Sequence, residues 1–518
     1  MSEMASNVPI GNGTLPGGQV GQSWASSALQ SNLILTFGAA SLVTLFMWFF
    51  ISYQTSPLKK YPGPALAGWT NLWRLGQVLS GEYAPRMKKL HEKYGPIVRI
   101  GPNLLDLDFP ELTRTIYATD PKWKKSNFYQ NSSSIIDGKI TYHMFSEVDN
   151  ALHARMKRPV VRHYSVPSVL AMEPLMDKVI NDLLGHLQTR YVDTKKECEF
   201  GEWLGYYAWD FLGIVTFSTK FGFMEKGCDF DGTLAIADKS IDYLGICGQM
   251  PWMDYWLDKN PKMTARLKGE DKIFREDRPD FLQYFIESMS THPDVVDAKQ
   301  IIGYLLLNLI AGADTTAITM RALFYYSLKD PRVWSKLQSA VRSADIKPGQ
   351  PAPHAVARAI PYLEAVIRET IRYHPAVSMI MERIVPAESL GLALPDGSVV
   401  PGGSMIGMNP YIVGRNKGVF GEDADVFNPD RWLQRQEESD EQYKERRSLY
   451  ETASIAFGGG SRICLGRNLS QMELYKVVPT LIATFDIELV DQEEKWWTCS
   501  RWFYRCKGVV CRLKPRAG

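Results

Sequence analysis

The sequence predicts a mainly helical α+β domain with small β-sheets, carried behind one N-terminal membrane helix. Three observations predict it. Leu33–Ser52, LILTFGAASLVTLFMWFFIS, has no charge; at ~1.5 Å per residue its length of about 20 residues matches a hydrocarbon core of ~30 Å. Long segments with helical periodicity follow, among them Ser168–Tyr191 and Asp294–Leu328. Short strand-like runs lie between them, at Ile97–Phe109 around a Gly101-Pro102-Asn103 turn, at Ile380–Pro386 and at Val509–Leu513.

The N-terminal run is taken first. No Lys or Arg occurs in residues 1–32, so the segment does not read as a secretory signal peptide. Trp48 and Tyr53 suit a membrane interface, and Lys59 and Lys60 follow on one side only. The positive-inside rule therefore predicts a luminal tail at 1–32, a single span at 33–53 and a cytosolic remainder. Asn12-Gly13-Thr14 is an N-glycosylation sequon within that tail. Residues 54–67 read as a proline-rich hinge around Pro62-Gly63-Pro64, and 68–518 as one large domain. Glu437–Arg447 reads as a solvated surface excursion.

Composition removes several function classes. The 518 residues carry 59 Lys+Arg and 57 Asp+Glu, a net charge of +2, which offers nothing for nucleic acid to bind. Cys198, Cys228, Cys247, Cys464, Cys499, Cys506 and Cys511 are odd in number and widely spaced. That argues against a disulfide framework or a zinc knuckle.

Four segments carry chemistry. Gly303–Leu328 is apolar nearly all round, so as a helix it is buried, yet its middle holds Gly312, Asp314, Thr315 and Thr316. One reading is a break between two helices with Asp314 as N-cap. The other is a proton-delivery device on a helix that Gly312 opens to a ligand. In YLEAVIRETIRYHP, Glu369 and Arg372 share a helix face. In FNPDRW, Arg431 is placed to reach back to Glu369 in a buried cluster. In FGGGSRICLGR, Cys464 stands between glycines and arginines, as a disulfide half, a reactive thiol or a metal ligand.

The order AGADTT, ETIR, FNPDRW and FGGGSRICLG resembles the cytochrome P450 superfamily of haem-thiolate monooxygenases. Phe457, Gly460, Arg462, Cys464 and Gly466 match its Phe-x-x-Gly-x-Arg-x-Cys-x-Gly signature. The resemblance implies the cytochrome P450 fold over the chain after residue 60, with haem b (iron protoporphyrin IX) as cofactor. It makes Cys464 the iron ligand, shielded by Phe457, with Gly458 to Gly460 forming a turn whose amides point at the sulfur. It assigns the haem carboxylates to Arg462, Arg383, His153 and either Lys157 or Arg158; His153 departs from the family's usual Trp. Asp314 and Thr315 become the acid and alcohol of oxygen activation. Further implications are a partner NADPH–cytochrome P450 reductase docking on Arg155, Lys157, Arg158, Arg462 and Arg467, a lipophilic substrate, and an endoplasmic reticulum membrane address. Among such enzymes the chain is similar to fungal members of specialised metabolism, pisatin demethylase-type proteins above all. Two alternatives are a haem-thiolate isomerase or dehydratase and a non-catalytic haem protein, and the intact Asp314–Thr315 pair argues against both. The expected substrate lining is Phe128–Thr141, Leu307, Ala311, Val377–Met379 and Trp502–Phe503.

Overall fold

The computed structural model describes residues 20–136, 139–257, 259 and 281–516. The chain divides into two compact units at Lys59/Lys60. In the first, one helix runs Val20–Thr55. Its stretch Leu35–Thr55 has a mean hydropathy of 1.8 and exposes Leu35, Phe37, Leu42, Phe46 and Trp48. A helix of this length and composition is a candidate membrane anchor. Ala298–Lys329 is also long and apolar enough, but it is partly buried within the second unit and is a core helix there.

The second unit is mostly helical with small sheets. Its largest sheet has five strands in the order Ile97–Gly101, Leu104–Leu107, Met405–Gly407, Arg383–Ile384, Lys124–Lys125. Ile97–Gly101 and Leu104–Leu107 form the antiparallel pair expected from the sequence, with Ile97 opposite Leu107. The Pro62-Gly63-Pro64 segment lies against this pair. Pro62 accepts from the Arg99 N–H at 2.7 Å, and a Cβ on Gly63 would stand 2.3 Å from the Arg99 carbonyl oxygen. Only glycine fits there. A second sheet joins Phe485–Leu489, Val510–Pro515 and Cys198–Glu199.

Three elements differ from the sequence reading. Ser168–Tyr191 is two helices, Val166–Leu170 and Glu173–Leu187, because Pro174 lacks an N–H and starts the second. Ile380–Pro386 supplies only the strand Arg383–Ile384, ending before Pro386. The polar run at 437–447 is not a plain excursion. Ser439 and Gln442 form a capping box that starts the helix Asp440–Ala453. Arg446 on that helix pairs with Glu438 at 2.6 Å and donates to the Arg431 and Leu433 carbonyls.

The helix Ala298–Lys329 crosses the unit without a break, capped by Asp297, whose side-chain oxygen accepts from the Gln300 N–H at 2.8 Å. Asp314 is therefore not an N-cap. The Cβ direction of Gly312 points at a neighbouring helix. A Cβ there would lie 3.1 Å from Leu212 Cδ1, so the glycine admits the helix Phe200–Phe217.

Candidate functional site

Cys464 lies between two backbone devices. Its N–H donates to the Phe457 carbonyl at 2.8 Å, closing the loop. Gly458 (φ +71) and Gly460 (φ +56) take left-handed conformations within that loop. A Cβ on Gly460 would sit 2.2 Å from the Ala118 carbonyl oxygen, so the turn packs on the Tyr117–Ala118 backbone. The amides that act on the sulfur come from the other side, from Gly466 and Arg467 at the start of the helix Arg467–Thr484. Burial pushes the Cys464 thiol up, and those amides and the Arg467 and Lys157 charges pull it down. The side chain nonetheless keeps an exposed surface.

Beside it is a knot of buried positive charge. Asp149 caps the helix Asn150–Lys157, setting His153 and Lys157 one turn apart on the same face. Lys157 Nζ donates to the Ser461 carbonyl at 2.9 Å, whereas Arg158 is exposed. Arg462 binds Asn150 Oδ1 (2.7 Å) and the Glu147 carbonyl (2.7 Å), and burial and Arg383 push its guanidinium down to about 10. His153 is pushed to about 2 by burial, Arg462, Lys125, Lys157 and Arg383, so its imidazole is neutral. Arg383 is buried over the Tyr117 ring, and the adjacent Glu382 is engaged by Arg74 and Ser126, each at 2.5 Å.

Lys125 is the member that sequence reasoning missed. It is buried opposite Arg383 in the strand pairing and donates to the Phe145 carbonyl at 2.7 Å. Burial lowers its ammonium well below the ordinary value, and the charges acting on it, Arg462 and Arg383, lower it further. Its sequence signal was faint: one lysine of KWKKS, on a two-residue strand. A thiol under backbone amides, next to cations in need of an anion, fits an iron porphyrin with two carboxylates.

On the long helix, Asp314 Oδ1 accepts from Trp209 Nε1 at 2.9 Å. Burial raises its carboxyl to about 6 against that hydrogen bond. The half-exposed Thr315 donates to the Ala311 carbonyl at 2.8 Å. Thr316 is buried and bonds the Gly312 carbonyl (3.1 Å) and Ser470 Oγ (3.2 Å).

The structure brings Glu369, Arg372 and Arg431 together. Glu369 Oε1 is 2.6 Å from Arg372 and 3.1 Å from Arg431, and Oε2 accepts from Trp432 Nε1 at 2.9 Å. Arg372 also donates to the Ala424 and Val426 carbonyls, tying the FNPDRW turn to the helix Pro361–Tyr373.

A model of the cytochrome P450 family matches residues 62–510. The chain belongs to the cytochrome P450 family. It is 40% identical to cytochrome P450 monooxygenase cfoH of Aspergillus candidus, over 96% of each chain. It is 33% identical to cytochrome P450 monooxygenase cicH of Emericella nidulans, over 89% of this chain and 94% of that one. Identity to cytochrome P450 monooxygenase vrtE of Penicillium aethiopicum is also 33%, over 95% and 96%. Resemblance and relatives agree on a monooxygenase, an oxidoreductase of the haem-thiolate class.

In this cytochrome P450 the expected substrate lining is partly closed. Phe128, Met379, Trp502 and Phe503 are buried in one cluster, with Phe128 and Trp502 centroids 5.1 Å apart. Leu307 and Ala311 are more open. Of the cations expected to receive a reductase, Arg155, Arg158 and Arg467 are exposed, Arg155 lying 3.4 Å from Asp294, while Arg462 is committed inside. Residues 137 and 138 of the lining, and Asn12, lie outside the described residues.

Proposed function

We propose that this cytochrome P450 is a membrane-anchored monooxygenase that holds haem b through Cys464 and oxidises a lipophilic small molecule in a fungal specialised-metabolite pathway. The supporting observation is the thiol of Cys464 beneath the Gly466 and Arg467 amides, beside Arg462, Arg383, Lys125, Lys157 and the neutral His153. Amides and cations favour a thiolate over a thiol, and the cation knot receives the two carboxylates. When bound, the haem activates dioxygen with electrons that a reductase draws from NADPH. Asp314 takes up protons on the Trp209 side, and Thr315 holds a proton at Oγ for delivery, releasing its bond to Ala311.

Leu33–Tyr53 is the anchor in the endoplasmic reticulum membrane, residues 1–32 are luminal, 54–67 form the hinge, and 68–518 work in the cytosol. Asn12 is then on the side where glycosylation occurs. The partner reductase docks on Arg155, Arg158 and Arg467. Consumption of NADPH and dioxygen with added reductase tests the reading, together with comparison of metabolites between strains with and without the gene. An isomerase or a haem carrier would consume neither.

A further inference from the structure

Among the described residues the Asp314 carboxyl makes one hydrogen bond, accepting from the indole N–H of Trp209, 2.9 Å away. Several features make that contact specific. Trp209 lies on the helix Phe200–Phe217, one turn before Leu212 and so on the same face. Gly312, two residues before Asp314, removes the side chain that would strike Leu212, which lets the two helices approach. The indole is also clamped. Phe221 and Phe223 each stand 6.1 Å from it, centroid to centroid. Asp210 accepts from the N–H groups of Gly222 (2.7 Å), Phe223 (3.1 Å) and Met224 (3.0 Å), fixing the loop that carries both rings. Trp209 is 3% exposed. A large buried ring is thus held so that its one polar atom meets one carboxyl.

We propose that Trp209 is a positioning residue that holds the Asp314 carboxyl in one orientation and favours its ionised form by hydrogen bonding. The inference rests on the proton-relay reading of Asp314. A relay acid must be available in both protonation states near its working pH. Burial raises Asp314 to about 6, and the indole N–H is the largest influence in the opposite direction. The other charges acting on it are Asp238 of the helix Thr233–Cys247, which raises it, and Arg321 and Arg505, which lower it. Each of these is answered. Asp238 lies 3.0 Å from Arg505, and Arg321 lies 3.6 Å from Glu202. Without the indole N–H the carboxyl stays protonated to higher pH and its hold on one orientation is lost.

The test uses purified holoenzyme. The infrared band of the protonated Asp314 carboxyl is identified as the band missing from Asp314→Asn, and its intensity is followed against pH. In Trp209→Phe the midpoint moves up by about one pH unit, the scale of one hydrogen bond to a carboxylate. The pH profile of NADPH consumption, measured with reductase and dioxygen and no added substrate, moves the same way. In an Asp314→Asn background Trp209→Phe leaves that profile unchanged. Should Trp209→Phe fail to fold, Trp209 is replaced by β-(3-benzothienyl)alanine, which keeps the ring shape without the N–H. An unchanged infrared midpoint in the foldable variant overturns the hold of Trp209. An unchanged rate of NADPH consumption in Asp314→Asn overturns instead the relay on which it rests.

Discussion

Lys125 and Arg383 face each other across the short antiparallel pairing of Lys124–Lys125 with Arg383–Ile384, and both are buried. Like charges directly opposite on a sheet are destabilising, and the charges acting on Lys125 are themselves positive. Such an arrangement is retained where an anion completes it. On the proposed reading the two carboxylates of the porphyrin would supply that charge, and the pairing would then be costly without haem and favourable with it.

Lys125→Met separates these two effects. The haem-free protein should melt at a higher temperature than its parent, because a buried ammonium is gone. The sign agrees with the depressed ammonium: at every pH below the ordinary lysine value, folding works against its proton. The holoprotein should lose haem faster, on the order of tenfold, with one charge-assisted bond removed. Differential scanning of both forms and transfer of haem to an apoprotein acceptor measure the pair. A variant that melts lower and keeps haem equally well contradicts the account.

Cys464→Ser should abolish the long-wavelength Soret band of the reduced carbon-monoxide complex, the band for which the family is named. The amides of Gly466 and Arg467 would then face a hydroxyl, which they cannot hold as an anion near neutral pH. Persistence of the band in the serine variant would assign the ligand elsewhere.

Glu369→Ala leaves Arg372 and Arg431 buried without their shared carboxylate. Losing one member of a buried ionic network typically costs about 3–5 kcal/mol. Urea unfolding of the holoprotein should show a loss of that order. Arg431→Ala should cost less, because Asp423, which it also binds at 3.0 Å, is part-exposed and can turn to water. Equal losses from both would show that the turn, rather than the shared carboxylate, is the critical element.

The parts of this site that the sequence made legible are local ones. Phe457 to Gly466 is one short loop whose spacing survives folding, and Glu369 and Arg372 are joined by helix geometry alone. Arg431 could be added because a proline-fixed turn restricts where its fork points. Lys125 and Trp209 were invisible for the opposite reason. Each acts across a contact between elements far apart in the chain, and neither residue type marks a site. Gly312 was noticed, but only for what its own helix could offer a ligand. Its close approach to Leu212 on another helix is a packing feature that no inspection of its own helix can show. The polar run at 437–447 misled because charge indicated exposure correctly and hid the capping box that makes it helical.

Glu473 predicts a pH dependence of stability. It is buried on the helix Arg467–Thr484, and desolvation alone raises its carboxyl well above the ordinary value. The folded state therefore keeps a proton that the unfolded chain releases above its ordinary carboxyl range of about 4.3. The fold is unpenalised below that pH and loses stability as pH rises toward the folded value. Glu473→Gln should remove this dependence. Its gain over the parent in thermal midpoint should be near zero at acid pH and should grow towards pH about 7–8. A constant difference across that range would mean that Glu473 is not neutral in the folded protein.

Thr315 and Thr316 are adjacent yet should fail in different ways. Thr315 is half-exposed, and among the described residues its hydroxyl is occupied only by the Ala311 carbonyl one turn back, a bond it can exchange. Thr316 is buried, bonded to Gly312 and to Ser470 on the helix that begins beside Cys464, so it links two helices. Positioned proton transfer contributes about 10²–10⁴ in rate. Thr315→Ala should accordingly keep the carbon-monoxide spectrum and thermal stability of its parent while NADPH is diverted to hydrogen peroxide. Thr316→Val should instead lower the thermal midpoint and leave the hydrogen peroxide released per NADPH near the parent's value. Asp314→Asn should slow NADPH consumption and remove any pH dependence of that rate centred near its raised value of about 6. If Thr315→Ala released no more hydrogen peroxide per NADPH than its parent, the exposed hydroxyl would have no part in proton delivery, and the role would have to move to another donor on the same helix face.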